Sequence, residues 1–458
     1  QGAQQQPGPV RRLRGGAPTG TDEDDYVLVR SGEKEFDFPQ GDENRYCTYQ
    51  GRGGVPIGGL LKRIAFAIRF RSLSMLVTGY IKPETRIMIY RAVSERARQL
   101  APFLEYDGDP YLVIVDGRLY WILDAYTVTK WFPYSADFLG AWNYMRNSVK
   151  VVLDAYHGSV DFYVADPNDT LIKAYQRIFP VLFKPLSEIP AGLRVHLRYP
   201  QGLFLAQAAM FQRYHMREYD VFYNQEDLWA FPKEQIENEM RDMMPYYVVM
   251  RLPGAAREEF LLMLPFTPAA GRDNMIAWMC AKCDPQDYGR LILYKFPKQV
   301  NVYGPRQIEA RIQQTPQISA QLTLWSQRGS QVYRGNLLVI PIKNSLLYVE
   351  PLYLQSEQSK IPELKRVFVA YGDQVVMGEN LEDALKRVFG GEGPLVPAEV
   401  KPPQVVGEGA PLPPTPQPIV KAGPAAEPAG GEDLLGQLEQ RFGKVREQQK
   451  QLERELRE

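Results

Sequence analysis

Apolar residues recur along the chain at two spacings, and the change between them marks out the elements. Helical spacing runs through Gly58 to Phe70 (GGLLKRIAFAIRF) and through Glu84 to Leu100, where Ile89, Val93, Ala97 and Leu100 recur after Pro83. Further helices are expected at Asp169 to Phe179, Gly202 to Met216, Pro305 to Gln313, Ile318 to Ser326 and Leu381 to Phe389. The last carries Glu382 and Asp383 in its first turn, where the helix dipole favours acids. Strand-like runs flank turn dipeptides: Val149 to Tyr156 and Ser159 to Ala165 around His157-Gly158, and Tyr246 to Leu252 and Glu259 to Phe266 around Pro253-Gly254. Met275 to Cys280, Leu291 to Phe296, Leu337 to Ile342, Leu346 to Tyr353 and Arg366 to Tyr371 read as further strands. Hairpins and helices mix without a strand–helix–strand rhythm, which predicts an α+β fold of hairpin-rich sheets with packed helices.

One stretch, DPYLVIVDGRLYWILDAYTVTKWFPYS at 109–135, gives the strongest hairpin signal. Asp116-Gly117 suits a type I′ turn, which needs positive φ at both central residues. Counting by two, Leu112 and Ile114 share one face of the first arm, and Tyr111, Val113 and Val115 the other. Both faces are apolar, so the hairpin is expected to be central and covered on both sides.

The ends of the chain have another character. Residues 1–24 are rich in Gln, Gly, Pro and Arg and read as a disordered arm; residues 391–432 read as a Pro/Gly-rich linker. Between them, two α+β lobes are expected at 25–240 and 241–390. In the tail at 433–458, Leu435, Leu438, Phe442, Val445, Gln449, Leu452 and Leu456 step alternately by three and four. This is either a solvated amphipathic helix or a coiled-coil seam joining copies of the chain into a homo-oligomer.

Composition narrows the functional classes. Lys+Arg and Asp+Glu are both 54, so no global field draws in nucleic acid, and no nucleic-acid partner is expected. Three cysteines are too few for a disulfide framework, and no run approaches the ~20 apolar residues of a spanning helix. The N-terminus lacks the apolar core of a signal peptide and a starting Met, so the chain is expected to be part of a longer protein.

Candidate chemistry is sparse. Cys280 and Cys283 have redox or half-zinc spacing, but they close a strand rather than open a helix, and no second ligand pair exists. Two adjacent turn cysteines are the plainer reading. No cofactor is expected. The three histidines, His157, His196 and His215, accompany no nucleophile motif. The glycines at 51, 53, 54, 58 and 59 either cradle an anion or form a tight loop before a helix, and the loop is the favoured reading. LLKRIAFAIRFR is either a membrane-surface or partner helix, or a core helix with snorkelling bases, and the core reading is favoured. The carboxylates Asp107, Asp109 and Asp124, beside Tyr120, Trp121 and Trp131, resemble the acids and rings of a sugar site. Asp107-Gly108-Asp109 also resembles part of a calcium loop, though loop acids are more often turn formers.

Several long stretches resemble a known family in order: EFDFPQGDENRYCTYQGRGGVPIGGLLKRIAFAIRF, APFLEYDGDPYLVIVDGRLYWILDAYTVTKWFPYS, LRYPQGLFLAQAAMFQRYHM, VFYNQEDLWAFP and GNLLVIPIKNSLLYVEPLYLQ. The family is the uncharacterised protein family numbered 0182 in the UPF series, large bacterial multi-spanning membrane proteins. The resemblance covers about Asp25 to Gly390 and transfers no catalytic residue. It implies several spanning helices first, then a large soluble region outside the cytoplasm, then a Pro-rich charged tail. This chain looks like the soluble region and tail, with the membrane-spanning region as its absent partner. The expected location is therefore the cell membrane, on the extracytoplasmic side. The Cys280/Cys283 pair departs from the family pattern, in which this turn usually lacks cysteines. Two functions follow as expectations: a binding or assembly module without catalysis, or a cell-envelope enzyme acting on carbohydrate or lipid through Asp109 and Asp124.

Overall fold

The computed structural model describes residues 26–390 except 41–42, 139, 237–238, 298, 327–329, 343–344 and 357–360, and adds 404–405. The expectations for the arm at 1–24, the linker at 391–432 apart from 404–405, and the heptad tail at 433–458 lie outside the described residues.

The described chain opens with β1 (Tyr26–Val29), the hairpin of β2 (Glu35–Gln40) and β3 (Glu43–Cys47), and β4 (Val55–Pro56). Then come α1 (Leu60–Arg69), α2 (Ser74–Val77), β5 (Arg86–Ile89) and α3 (Val93–Leu100). β5 lies between β1 and β4 in a small antiparallel sheet, so the helix expected over Glu84 to Leu100 is split. The β-branched Ile87 and Ile89 suit a strand with partners on both edges, and Ile87 is fully buried. Tyr90 at φ 51 then turns the chain in the left-handed region, and helical spacing holds only from Val93 on.

A six-stranded sheet follows, built from β6 (Glu105–Tyr106), β7 (Tyr111–Val115), β8 (Arg118–Thr129), β9 (Tyr144–Asp154), β10 (Val160–Val164) and β11 (Phe183–Pro185). Its order is β11-β10-β9-β8-β6, with β7 sharing the β6 edge of β8; β10 and β11 run parallel. The helix α4 (Thr170–Ile178) makes that crossover, capped by the Asp169 carboxylate, which accepts from the N–H groups of Leu171 and Ile172. Asp116 at φ 51 and Gly117 at φ 71 give the β7–β8 turn the predicted two positive φ values.

This sheet has two covered faces. Leu123, Val149, Val151 and Phe162 pack with α3 and α4 residues, and Val113, Ile122 and Val152 pack beneath Ile189 and Leu193, the latter from α5 (Ala191–Arg194). The expectation that the β7–β8 hairpin is covered on both sides fails on one of its faces. Leu112 and Ile114, with Leu119 opposite Ile114, share that face and are 46%, 68% and 45% exposed, while Val113 on the other face is buried.

The remaining elements are α6 (Gln201–Tyr214), α7 (Tyr219–Asn224), β12 (Trp229–Ala230), the hairpin of β13 (Lys233–Ile236) and β14 (Glu239–Asp242), β15 (Tyr246–Met250), β16 (Glu259–Pro268), β17 (Ala277–Lys282) and β18 (Leu291–Lys295). After α8 (Pro305–Gln314) and α9 (Pro316–Trp325), a last sheet holds β19 (Ser330–Arg334), β20 (Leu338–Ile342), β21 (Ser345–Ser356), β22 (Glu363–Tyr371) and β23 (Gln374–Gly378), closed by α10 (Leu381–Phe389). The largest apolar core joins β16 and β17 to α6 through Phe204 and Ala208 and to α8 through Ile308 and Ile312. The fold is α+β with sheets that are antiparallel apart from the β10–β11 pair.

Candidate functional site

Three of the carboxylates singled out in the sequence come together where β8 and β9 meet the start of α6 and the turn after β17. Asp124 points from the middle of β8 at Lys150 of β9, directly opposite it in register. The two form a buried ion pair, with side chains 4% and 1% exposed. Lys150 Nζ also donates to the Arg198 carbonyl at 3.0 Å and the Tyr288 hydroxyl at 2.6 Å, while Asn147 Nδ2 donates to Asp124 at 3.0 Å. Arg198 in turn donates to Asp109 at 2.6 Å, and its guanidinium lies 3.8 Å from the Tyr111 ring centroid and 4.4 Å from that of Tyr247. Asp107 accepts from the Tyr126 hydroxyl and, at 2.9 Å, from the N–H of Gly202.

These distances decide the chemistry. Asp124 and Asp109 each hold a cation, and Asp107 is held by the Tyr126 hydroxyl and the Gly202 N–H. Burial pushes the Asp124 carboxyl above its usual range, and the Lys150 charge opposes that rise. Burial likewise raises Asp109 against the pull of Arg198. Asp109 and Asp124 are linked through Arg198 and Lys150. The calcium-loop likeness of Asp107-Gly108-Asp109 is met by local bonding: Asp107 Oδ1 accepts from the Asp109 N–H at 3.0 Å. The Tyr111 hydroxyl is buried without a hydrogen-bond partner at the edge of this network.

The rings do not gather there. Tyr120 and Trp121 are successive in β8 and point to opposite faces, and Trp131 stands 81% exposed in the loop beyond β8. Sequence reasoning missed Lys150, Arg198 and Tyr288. Lys150 carried one signal: a lone cation inside the apolar run SVKVVL predicts a buried charge that needs a partner.

The other candidates resolve in the same way. Cys280 lies inside β17, not in a turn as the plainer reading had it, and both it and Cys283 are buried free thiols. Burial pushes the Cys283 thiol up to about 11 and that of Cys280 higher still, the reverse of redox activation. The loop reading of Gly51 to Gly54 agrees with the packing: a Cβ on Gly53 would stand 2.8 Å from the His157 carbonyl oxygen. The loop N–H groups of Arg52 and Gly53 donate to His157 Nδ1 and the Tyr49 hydroxyl.

The α1 segment takes only part of its expected core role: Ala67 and Phe70 are buried in one apolar cluster with Phe66 packed against it, while its other face is open. Ala67 is the only buried residue within the helix itself, and Arg63 turns inward to donate to the carbonyls of Ile57 and Ile81. Leu60, Leu61 and Ile68 are 68%, 84% and 73% exposed, and Leu73 and Val77 around α2 are 76% and 84% exposed. At 100° per residue, Leu60, Ile64, Ile68 and Leu61 fall within one 100° arc, and Arg69 and Lys62 lie about 80° and 100° beyond its Leu61 edge. Five large apolar residues within eighteen positions are thus strongly exposed.

Comparison with known proteins places the chain. The Uncharacterised protein family (UPF0182) matches residues 19–325. The chain belongs to that family. A UPF0182 protein of Moorella thermoacetica is 52% identical over 389 residues, covering 84% of this chain and 43% of its own length. Those of Bradyrhizobium diazoefficiens and Cupriavidus necator are 54% and 51% identical, covering 82% of this chain and 41% and 42% of their own lengths. The chain thus spans less than half the length of these relatives. No solved structure matches it. Among the described residues, no helix is long and apolar enough to cross a membrane.

Proposed function

We propose that this chain is the extracytoplasmic part of a multi-spanning bacterial membrane protein, and that it works as a binding and assembly module seated on the lipid surface. The observation that carries the reading is the α1–α2 face. Its exposed Leu61, Ile68, Leu73 and Val77 are the apolar side, and Lys62, Arg69 and Arg71 are exposed cations around it. That combination suits an anionic bilayer, into whose headgroup boundary an amphipathic helix lays its apolar side. The shortfall in length against the relatives agrees with a larger protein that would hold this face at the membrane. The other reading, an envelope enzyme working through Asp109 and Asp124, is weaker because both carboxylates already hold cations.

Flotation with vesicles tests the docking face. The chain is expected to float with phosphatidylglycerol vesicles and far less with phosphatidylcholine vesicles. Leu61→Asp with Val77→Asp is expected to abolish flotation without changing the circular dichroism spectrum. Binding that survives the double change would remove the docking face from the proposal. For the full-length protein, protease added to spheroplasts should cleave this region; protection would place it on the cytoplasmic side and end the reading.

A further inference from the structure

A second charge-rich region lies away from the ion-paired network, where the Gly51–Gly54 loop meets the β9–β10 turn. Tyr49 donates its hydroxyl to the Tyr156 carbonyl at 2.8 Å, and the Gln50 N–H donates to the Tyr156 hydroxyl at 2.9 Å. The first small sheet is thereby tied to the edge of the six-stranded one, and a cleft of about 510 Å³ opens between them. Arg52, Arg96, Arg118, Asp154, His157 and Ser159 line it, with Gly53, Gly54 and Gly158 supplying backbone. Its size is that of a small-molecule site, and crevices between packed units are common places for one.

The electrostatics of the lining are specific. Asp154 is fully used: Oδ1 accepts from the N–H groups of Tyr156 and His157, and Oδ2 from Arg118 at 2.7 Å. The other guanidiniums here are held by carbonyl oxygens, which fix a cation without neutralising it. Arg96, which lines the cleft, donates Nε to Gly158 O at 2.7 Å and Nη1 to Ile89 O at 3.2 Å. Arg86, just behind the loop, donates to the carbonyls of Arg52, Gly53 and Gly54. Arg52 itself is exposed. His157 Nδ1 accepts from the Arg52 N–H, so the neutral ring carries its proton on Nε2 and presents a donor. Three arginines against one aspartate leave the lining with two positive charges. Donors already in place at a surplus of guanidinium charge are what a phosphate or carboxylate needs.

An apolar pocket of about 220 Å³ adjoins this cleft and shares Gly54 and Arg96 with it. Val55, Ile89, Tyr90 and Leu100 supply its walls. We propose that the cleft between the Gly51–Gly54 loop and the β9–β10 turn binds an anionic amphiphile, its phosphate group on Arg52, Arg96 and His157 and its apolar arm in the neighbouring pocket. The shared chemistry is that of a phosphate ester, whether from a lipid headgroup or a soluble phosphorylated metabolite. The pocket touches the α1–α2 face at one point, where the Tyr90 hydroxyl accepts from Arg69.

Titration calorimetry on the whole chain tests it with three probes: inorganic phosphate, dihexanoyl phosphatidate below its micellar concentration, and dihexanoyl phosphatidylcholine. Phosphatidate is expected to bind at least tenfold more tightly than phosphate, and phosphatidylcholine more weakly than phosphatidate. Phosphate as tight as phosphatidate would strike out the apolar arm and assign a soluble phosphate source. Arg52→Glu should weaken phosphatidate and phosphate alike by tenfold or more. Leu100→Ser should weaken phosphatidate alone. No heat with any probe, or affinities untouched by Arg52→Glu in a protein with an unchanged melting curve, would overturn the proposal.

Discussion

Two regions of this molecule concentrate charge and treat it in opposite ways. In the network around Asp124, each of the cations Lys150 and Arg198 meets a carboxylate, and the central pair is shut away from water. Around the Gly51–Gly54 loop, Arg86 and Arg96 meet carbonyl oxygens and keep their charge uncancelled beside an open cleft. The comparison teaches that the partner of a charge, more than its presence, separates architecture from recognition. An ion pair fixes two strands and a helix in place and then has nothing further to offer. A cation held by carbonyls is equally well positioned and still attracts an anion.

The largest effect should come from unbalancing the first region. Lys150→Met leaves Asp124 buried without its cation and is expected to cost about 3–5 kcal/mol in urea unfolding. Replacing both residues, Lys150→Met with Asp124→Leu, should recover more than half of that loss, since a matched apolar pair has no stranded charge. If the single and double changes are equally damaging, the pair is not the organising contact of the network.

A third arrangement sharpens the contrast, because its pairing is incomplete. Glu234 of β13 is buried, with Arg241 at 3.8 Å its cation. Burial pushes its carboxyl up to about 7, and the Glu350 charge adds to the rise, with Arg241 opposing. The folded state therefore holds this proton more tightly than the unfolded chain does. Its contribution to stability is full below the unfolded carboxyl range near 4.5 and is lost as pH rises through 7. The rise from 4.5 to about 7 corresponds to roughly 3 kcal/mol. Glu234→Gln should flatten that part of the difference between denaturation midpoints at pH 5 and pH 8. An unchanged difference would mean that Arg241 compensates Glu234 fully.

The smallest effect on stability belongs to the second region. Arg52→Glu, on an exposed side chain, should move the unfolding free energy by less than about 0.5 kcal/mol while removing the anion site. A large loss of stability would recast the loop as structural only and erase the distinction between the two regions.

Much of this architecture was legible from residue spacing. The Asp116-Gly117 turn, the Asp169-capped α4 and the hairpin of β15 and β16 follow from local chemistry that each stretch carries within itself. The exceptions are instructive. Arg86–Ile89 carried helical spacing yet became a strand, because β1 and β4 offered backbone partners from outside the local window. α1 carried an apolar arc that the sequence reading turned inward, since periodicity gives the arc but not which side is covered. Of the site, Asp109 and Asp124 were noticed as acids near hairpin ends, but their partners Arg198 and Lys150 lie 89 and 26 residues away. The cleft was half visible, in the glycines and in His157-Gly158, and needed tertiary docking to bring Arg96 and Arg118 beside them.

The bond from Lys150 to Tyr288 spans 138 residues of chain, and that span has a meaning in time. The β7–β8–β9–β10 run pairs neighbour with neighbour and can close its hairpins on the microsecond scale. At ribosomal speed, the residues from 150 to 288 take about 7 to 28 s to be made. Through that interval the nascent six-stranded sheet carries an ammonium group whose burial is unfinished, and water or a chaperone must occupy the place of Tyr288.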